Sequence, residues 1–244
     1  MAMLEVEIKL TVTLRSAMHI GTGFGLAQLI DDRIVQGPHP DVPGEEFPYI
    51  PGSSLKGRLR HHTRELTQLL FKNPADMTAI EGRLFGYDHT PGLLRYCNSY
   101  LDPLFAGELS RLRGGSHTAV TSNDRTFVSL SRERRVALEQ RLFRIEVAES
   151  GLQYSSRIHG YLPVESALGD LGLLVAAMKM VTNLGGHKGR GLGDCEVNPG
   201  EAVLRAADST SLLQSMHGVL RYGAAPGSTD STLPDANVLL DSLP

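Results

Sequence analysis

The sequence predicts an α+β fold with a ferredoxin-like core enlarged by insertions, and three observations support this prediction. Apolar and polar residues alternate along a first strand, apolar residues recur at helical spacing in two later segments, and the elements follow the order strand, helix, strands, helix, strand. This order is the split βαβ arrangement of ferredoxin-like domains. A chain of 244 residues, of which 41% are hydrophobic, is long enough to bury such a core.

The first strand has the clearest pattern. Every even-numbered residue from Leu4 to Leu14 is apolar, while the odd-numbered residues between them are glutamate, lysine and threonine. This alternation predicts a strand with one buried face. Glycine and proline are frequent in residues 21–51, which predict a long functional loop with one small strand near residues 29–35.

A helix is predicted from the turn at residues 51–54 to about Lys72, with a serine as its N-cap. Lys56, Arg60 and Arg64 recur every four residues and therefore form a basic stripe beside the apolar face. No acidic residue interrupts residues 51–64. The stripe has two interpretations, which are phosphate binding and a solvated helix face.

The rest of the chain predicts shorter elements and one further long helix. These are a helix near residues 79–85, strands near 93–101, 118–128, 143–147 and 154–162, a helix over 168–184, and a closing strand from 195. An arginine-rich insertion covers about residues 120–147. We expect a domain over residues 1–205, followed by a C-terminal helix near 211–220 and a mobile tail within 206–244.

The charge balance excludes a protein whose whole surface coats nucleic acid. Lysine and arginine total 24 against 27 aspartate and glutamate residues, which gives a formal net charge of −3. Phosphate binding therefore depends on local clusters.

No apolar run reaches the ~18 residues of a membrane span. The two cysteines have neither metal-binding nor disulfide spacing, which favours a reducing compartment. We therefore expect a cytoplasmic protein without membrane contacts.

The glycine loop, residues 185–193, contains five glycines together with His187, Lys188 and Arg190. Glycine lets backbone amides approach a phosphate closely, and the cations neutralise its charge. The loop follows a helix and precedes a strand, which excludes the dinucleotide-binding arrangement. A flexible connection without a ligand is the alternative interpretation.

Candidate metal ligands are few. The nine histidines contain no pair at zinc-ligand spacing, because the adjacent His61 and His62 are predicted to face different sides of a helix. Asp31 and Asp32 are adjacent carboxylates in a glycine-flanked loop, where they could hold a hard divalent cation against a phosphate. An acidic turn is the commoner meaning of such a pair.

Three segments resemble, in this order, motifs of the RAMP superfamily of CRISPR-associated proteins. They are Met18-His19-Ile20-Gly21, residues 49–60 around Pro51-Gly52-Ser53-Ser54-Leu55-Lys56-Gly57, and residues 184–197. The resemblance spans about residues 4–200 and is greatest to the backbone subunit of type III effector complexes. In addition, residues 30–35 resemble the segment that carries the family's catalytic aspartate, and Asp31 takes that place.

The resemblance implies a protein that stacks in copies along a guide CRISPR RNA, beside other CRISPR effector subunits, while a thumb hairpin displaces base pairs between guide and target RNA. Asp31 is then the catalytic residue and the ligand of Mg²⁺ or another divalent cation. The RNA-binding residues that it implies are His19, Ser53, Ser54, Lys56, Arg58, Arg60, Gly186, His187, Lys188 and Arg190.

The leading hypothesis is a guide-RNA-binding backbone subunit that cleaves the paired target RNA at regular intervals. Two alternatives remain open at this stage. One is a structural guide-binding subunit without catalysis. The other is a guide-processing endoribonuclease of the same superfamily, which would use a histidine as general acid or base.

Overall fold

A computed structural model describes residues 2–26, 29–113, 121–130 and 133–206. The strands are β1 Met3–Leu14, β2 Gln36–His39, β3 Val42–Pro48, β4 Gly86–Tyr87, β5 Thr90–Pro91, β6 Leu94–Tyr96, β7 Tyr100–Leu101, β8 Ser122–Leu130, β9 Ala137–Ala148, β10 Gln153–Pro163 and β11 Cys195–Ala206. The helices are α1 Gly52–Leu70, α2 Pro74–Phe85, α3 Pro103–Arg113 and α4 Ala167–Met180. The fold therefore mixes helices and strands, as predicted.

The central sheet is antiparallel and has β1 as an inner strand. Its order is β11-β1-β10-β6, and β7 also pairs with β10. The even-numbered residues of β1 are buried, which confirms the predicted alternation. They join one hydrophobic core with Leu55 and Leu59 of α1 and with Leu171 and Leu174 of α4. Both long helices thus pack on the same core.

Residues 21–51 differ from the prediction. The expected small strand near residues 29–35 is replaced by isolated bridges, including one between Asp32 and Ile145 of β9. A hairpin of β2 and β3 follows instead. The reason is that residues 29–35 form single bridges to three different places, Leu26, Gly21 and Ile145, whereas residues 36–48 pair continuously with each other.

The predicted serine cap of α1 is wrong. Pro51 occupies the cap position, and no side chain from the cap residue bonds the first turn. The Gly52 N–H instead donates to Oδ1 of Asn98, over 2.9 Å. A Cβ atom at Gly52 would lie 2.1 Å from the Tyr96 carbonyl oxygen, so only glycine permits this close approach. The helix start is therefore fixed by tertiary contacts.

Helix α3 was not predicted, although it carries a recognisable start signal. Oδ1 of Asp102 accepts hydrogen bonds from the N–H groups of Leu104 and Phe105, and Pro103 opens the helix. The apolar residues that follow do not mark one face of the helix. Leu104 and Phe105 are exposed, whereas Ala106 and Leu109 are buried. Asp102 and Pro103 therefore indicate this helix more clearly than the spacing of its apolar residues does.

The arginine-rich insertion contains an antiparallel hairpin of β8 and β9. Its base is attached to the core where Met18 pairs with Ala148. The predicted C-terminal helix and tail lie outside the described residues, and the domain boundary at residue 205 stays a prediction. No helix within the described ranges is both long and apolar enough to cross a bilayer.

Candidate functional site

The acidic loop, residues 29–35, runs beside strand β9. The Asp31 N–H donates to the Arg144 carbonyl oxygen over 2.8 Å, and the Arg144 N–H donates to Oδ2 of Asp31 over 2.6 Å. The Asp31 side chain is exposed. Strand β9 therefore fixes a solvent-facing carboxylate beside the middle of the β8–β9 hairpin, where Arg144 pairs with Thr126.

Asp32 has a different environment from its neighbour. Its Oδ2 lies 3.1 Å from Nε2 of His19, and its Oδ1 accepts the Gly23 N–H over 3.1 Å. A Cβ atom at Gly21 would lie 2.2 Å from Oδ2 of Asp32, so a larger residue there would displace the Asp32 carboxylate. The Asp32 carboxylate thus holds the loop together, and Asp31 is the acid directed toward solvent.

His19, a predicted RNA-binding residue, is almost fully buried, with 3% of its surface exposed. Its Nδ1 donates to the Glu146 carbonyl oxygen over 2.7 Å, while Nε2 faces the Asp32 carboxylate. Both nitrogens therefore have protein partners. His19 therefore joins the acidic loop to β9 through its two ring nitrogens.

Glu146 is a buried acid on β9 that the sequence reasoning did not identify. Oε1 accepts hydrogen bonds from the Gln36 amide over 2.6 Å and from the Ser122 hydroxyl over 2.8 Å. Nε of Arg33 lies 3.6 Å from Oε2. The only available signal was a glutamate between the apolar Ile145 and Val147. Glu146 joins β2, β8 and the acidic loop.

Three glycines of the glycine loop, Gly185, Gly186 and Gly193, pack against neighbouring backbone. The Gly186 N–H donates to the His19 carbonyl oxygen over 2.8 Å, and the Gly193 N–H donates to that of Ala17 over the same distance. Gly185 has a φ of +82°, and a Cβ there would lie 2.3 Å from the His19 carbonyl oxygen. These two amides are committed to protein acceptors, contrary to the expectation that they would face a phosphate.

His187 and Arg190 connect the glycine loop to the hairpin. The Arg190 guanidinium lies 5.1 Å from the ring centre of Phe127 and 4.6 Å from that of Phe143, which is a cation–π arrangement. Nη1 of Arg190 lies 3.3 Å from Nδ1 of His187, whose ring stacks on Phe127. Burial lowers the pKa of His187, and the charges of His19 and Arg190 lower it further. The neutral imidazole is therefore favoured.

The basic residues of α1 point in two directions. On the side that faces α2, Nε of Arg60 donates to Glu81 over 2.5 Å, and Arg64 binds the same carboxylate. Burial raises the pKa of Glu81, but the hydrogen bonds from Arg64 and Arg60 outweigh this effect and leave it below its usual range. Lys56 lies 5.8 Å from the ring centre of Tyr96. Much of the predicted stripe is thus neutralised.

On the side that faces the glycine loop, Nη2 of Arg58 donates to Oδ1 of Asn183 over 2.8 Å. Burial and the nearby charge of Arg58 lower the pKa of Lys188. Within the described part of the chain, no carboxylate forms an ion pair with either cation. Arg58 and Lys188 therefore form a pair of basic residues where α1 meets the glycine loop.

His61 and His62 do not face apart, contrary to the expectation from their adjacent positions on the helix. Their ring centres lie 5.1 Å apart, and both rings approach Glu65. Adjacent residues on a helix are separated by about 100°, and the side-chain torsions of two histidines can close that gap.

Comparison with known proteins identifies the family. The family model of the RAMP superfamily matches residues 11–196, which is more than half of the chain. The chain belongs to the RAMP superfamily. No curated protein matches this RAMP protein.

Solved structures share the fold of this RAMP protein. A chain of the type III-B Cmr-beta cryo-EM structure bound to cognate target RNA aligns with a TM-score of 0.51 and 13% identity, over 79% of this chain and 96% of that chain. A chain of the apo Cmr-beta structure aligns with a TM-score of 0.51 and 14% identity, over 83% and 98%. At these identities the likeness concerns the fold alone.

The structure of this RAMP protein brings together only part of the predicted site. Arg58, His187, Lys188 and Arg190 lie on or beside the glycine loop, whereas Asp31 lies on the acidic loop and contacts Arg144 of β9. Ser53 is exposed and Ser54 is half-buried in the first turn of α1. Phe127 and Phe143 were missed, because nothing in the sequence of the hairpin indicated that they contact Arg190.

Proposed function

We propose that this RAMP protein is a guide-RNA-binding backbone subunit of a type III CRISPR effector complex, and that it cleaves the paired target RNA at regular intervals with Asp31 and a divalent cation. The observation that carries the proposal is the exposed Asp31 carboxylate, fixed by Arg144 beside the β8–β9 hairpin. Its partners are guide RNA, target RNA, further copies in a filament and other effector subunits.

The element order supports a ferredoxin-like core. Strand β1, helix α1, strands β6, β7 and β10, helix α4 and strand β11 follow the split βαβ pattern, with β1 between β11 and β10. We assign the thumb to the β8–β9 hairpin. The Cmr-beta chain with a similar fold belongs to a structure bound to cognate target RNA, which supports an RNA partner here.

We assign guide binding chiefly to Arg58 and Lys188. Both are cations without an acidic partner among the described residues, and the charge of Arg58 already lowers the pKa of Lys188. An anion between them would relieve this repulsion, and an RNA phosphate is such an anion. Exposed Ser53 offers a hydroxyl donor nearby in the chain.

The residues fit a weakly held Mg²⁺ or other divalent cation. Asp31 supplies an exposed carboxylate with one oxygen bonded to Arg144, whereas the Asp32 oxygens are engaged by His19 and Gly23. Mg²⁺ is commonly held by one or two carboxylates together with substrate phosphates and water. Asp31 would therefore hold the cation jointly with the RNA. When bound, the cation neutralises charge that develops on the scissile phosphate.

The chain's own contribution to cleavage is positioning. Asp31 acts by placement, because its exposed carboxylate is held by the backbone N–H of Arg144. The hairpin displaces a nucleotide of the target, which lets its 2′-oxygen align with the adjacent phosphorus. The 2′-hydroxyl gives its proton to water, and its oxygen bonds to phosphorus as the bond from phosphorus to the 5′-oxygen breaks. The 5′-oxygen takes a proton from water, which leaves a 2′,3′-cyclic phosphate and a 5′-hydroxyl.

Substitution Asp31→Asn tests the proposal in the assembled complex with magnesium. The amide keeps the shape of the side chain but removes its charge, so we expect at least a ~100-fold loss of target cleavage with unchanged target binding. Asp41→Asn is the control, because that exposed residue lies in the β2–β3 turn. Unchanged cleavage by Asp31→Asn would remove Asp31 from the reaction.

The target-cleavage assay tests the first alternative, and an experiment on the isolated chain tests the second. A structural subunit would bind guide and target RNA without any cleavage that depends on this chain. A guide-processing enzyme would cut precursor guide RNA as an isolated protein without metal, so incubation of the pure chain with precursor RNA and a chelator identifies it.

A further inference from the structure

Three side chains of α1, His61, His62 and Glu65, lie close to one another. Nδ1 of His62 lies 2.8 Å from Oε2 of Glu65, and Nε2 of His61 lies 3.5 Å from Oε1. One ligand atom from each of the three residues can be chosen so that all lie within 4.8 Å of one another. The cluster is remote in sequence from the acidic loop and plays no part in the proposed cleavage.

We propose that His61, His62 and Glu65 form a binding site for Zn²⁺. Two imidazole nitrogens and a carboxylate are a common ligand set for zinc, which accepts water as a fourth ligand. Tetrahedral ligands at about 2.0–2.1 Å from zinc lie about 3.3 Å from each other. Each imidazole has one nitrogen close to a different oxygen of Glu65, at 2.8 Å and 3.5 Å, and one ligand atom from each of the three residues lies within 4.8 Å of the others. Side-chain rotation would bring these atoms to the separation that zinc requires.

The helix holds the ligands in a favourable arrangement before the ion binds. Residues separated by three and four positions lie on one face of a helix, which is the relation of Glu65 to His62 and to His61. The His62 ring is mostly buried, with 11% of its side chain exposed, and this limits its rotation. His61 and Glu65 are about half exposed, which leaves a path for the ion from solvent.

The charges around the cluster also suit a cation. A hydrogen bond from His62 lowers the pKa of Glu65, and the charges of His61, His62 and Arg58 act in the same direction, so the carboxylate is ionised at neutral pH. Arg58 is the nearby charge that opposes the ion.

The experiment is a zinc titration of the full chain, prepared without a histidine tag and stripped with a chelator, in competition with a chromophoric chelator. Wild-type protein should bind one Zn²⁺ at this site. His61→Ala and Glu65→Gln should each weaken binding by about 10-fold or more. Both residues are half exposed, so these variants avoid the folding risk of replacing buried His62.

His159→Ala is the matched control. His159 lies on β10 and faces away from the core, with Ile158 as its buried neighbour, so it is a histidine outside the cluster. This variant should bind zinc as the wild type does. Absence of binding by the wild type, or equal affinities of the wild type, His61→Ala and Glu65→Gln, would overturn the proposal. Because no RNA is present, neither result depends on the proposed cleavage.

Discussion

The two sides of α1 carry similar positive charges, but only the side toward α2 pairs its arginines with an acidic residue. Toward α2, Arg60 and Arg64 both bind Glu81. Toward the glycine loop, Arg58 bonds the neutral Asn183 and lies near Lys188. Regular spacing of arginines in a sequence therefore does not identify those that can bind phosphate. Whether an arginine can bind phosphate depends on the residue that faces it from another element.

The strongest test of this difference removes both cations at the glycine loop. The double variant Arg58→Ala, Lys188→Ala should weaken guide-RNA binding about 30-fold, because two charge-assisted phosphate contacts are lost. It should also reduce the slope of log affinity against log salt by about 1.4, since each contact with single-stranded RNA contributes about 0.7. Fluorescence anisotropy across a salt series measures both quantities.

The matched control removes two cations from the other side. Arg60→Ala, Arg64→Ala alters the net charge equally, but those guanidinium groups are already engaged by Glu81. We expect its RNA affinity to stay within about threefold of wild type. Equal losses in the two double variants would show that the sides of α1 do not differ. Circular dichroism should confirm that both proteins are folded.

Glu81→Gln tests the comparison in the opposite direction. It releases Arg60 and Arg64, so RNA affinity should rise by about twofold to fivefold. The same change should cost about 1 kcal/mol of stability at neutral pH, because the ion pairs are partly exposed and screened. The pKa of Glu81 is lowered in the folded state. Its stabilisation is therefore present above the unfolded pKa and lost as the pH falls through the folded value.

Thermal unfolding at several pH values checks this sign. Wild type and Glu81→Gln should differ in Tm at neutral pH and converge under acid conditions. A difference in Tm that persists unchanged in acid would mean that Glu81 stabilises the protein through packing, without its charge. Unchanged RNA affinity would show that Arg60 and Arg64 lie outside the RNA path.

The smallest expected effect concerns His187 on the glycine-loop side. Its pKa is lowered by burial, so its stabilising contacts with Phe127 and Arg190 are present above the unfolded pKa and are lost as the pH falls through the folded value. Between about pH 7 and pH 5, wild type should therefore lose more stability than His187→Gln. Parallel Tm profiles of the two proteins would contradict this.

The sequence predicted well those features that follow from local periodicity. The alternation in β1 and the helical spacing of Leu55 and Leu59 reported burial directly, because one face of each element packs on the core. Helix α3 was missed because its apolar pattern is weak. The N-cap of α1 was misassigned because its acceptor, Asn98, is 46 residues away from Gly52 in the chain.

The candidate site was less predictable, since its members belong to different elements. Motif order pointed to Asp31, but only the contacts of Asp32 with His19 and Gly23 separate the two acids. Likewise, the cluster of His61, His62 and Glu65 depends on side-chain torsions that residue spacing does not report.

By itself, the sequence determined the mixed helix and strand fold, the RAMP motifs and the presence of two basic segments. Only the tertiary structure decided which basic residues are neutralised and which backbone amides of the glycine loop are already bonded. The physical reason is the short range of these interactions. Periodicity averages over many residues and survives in the sequence, whereas an ion pair or hydrogen bond depends on atoms a few ångströms apart that folding brings together.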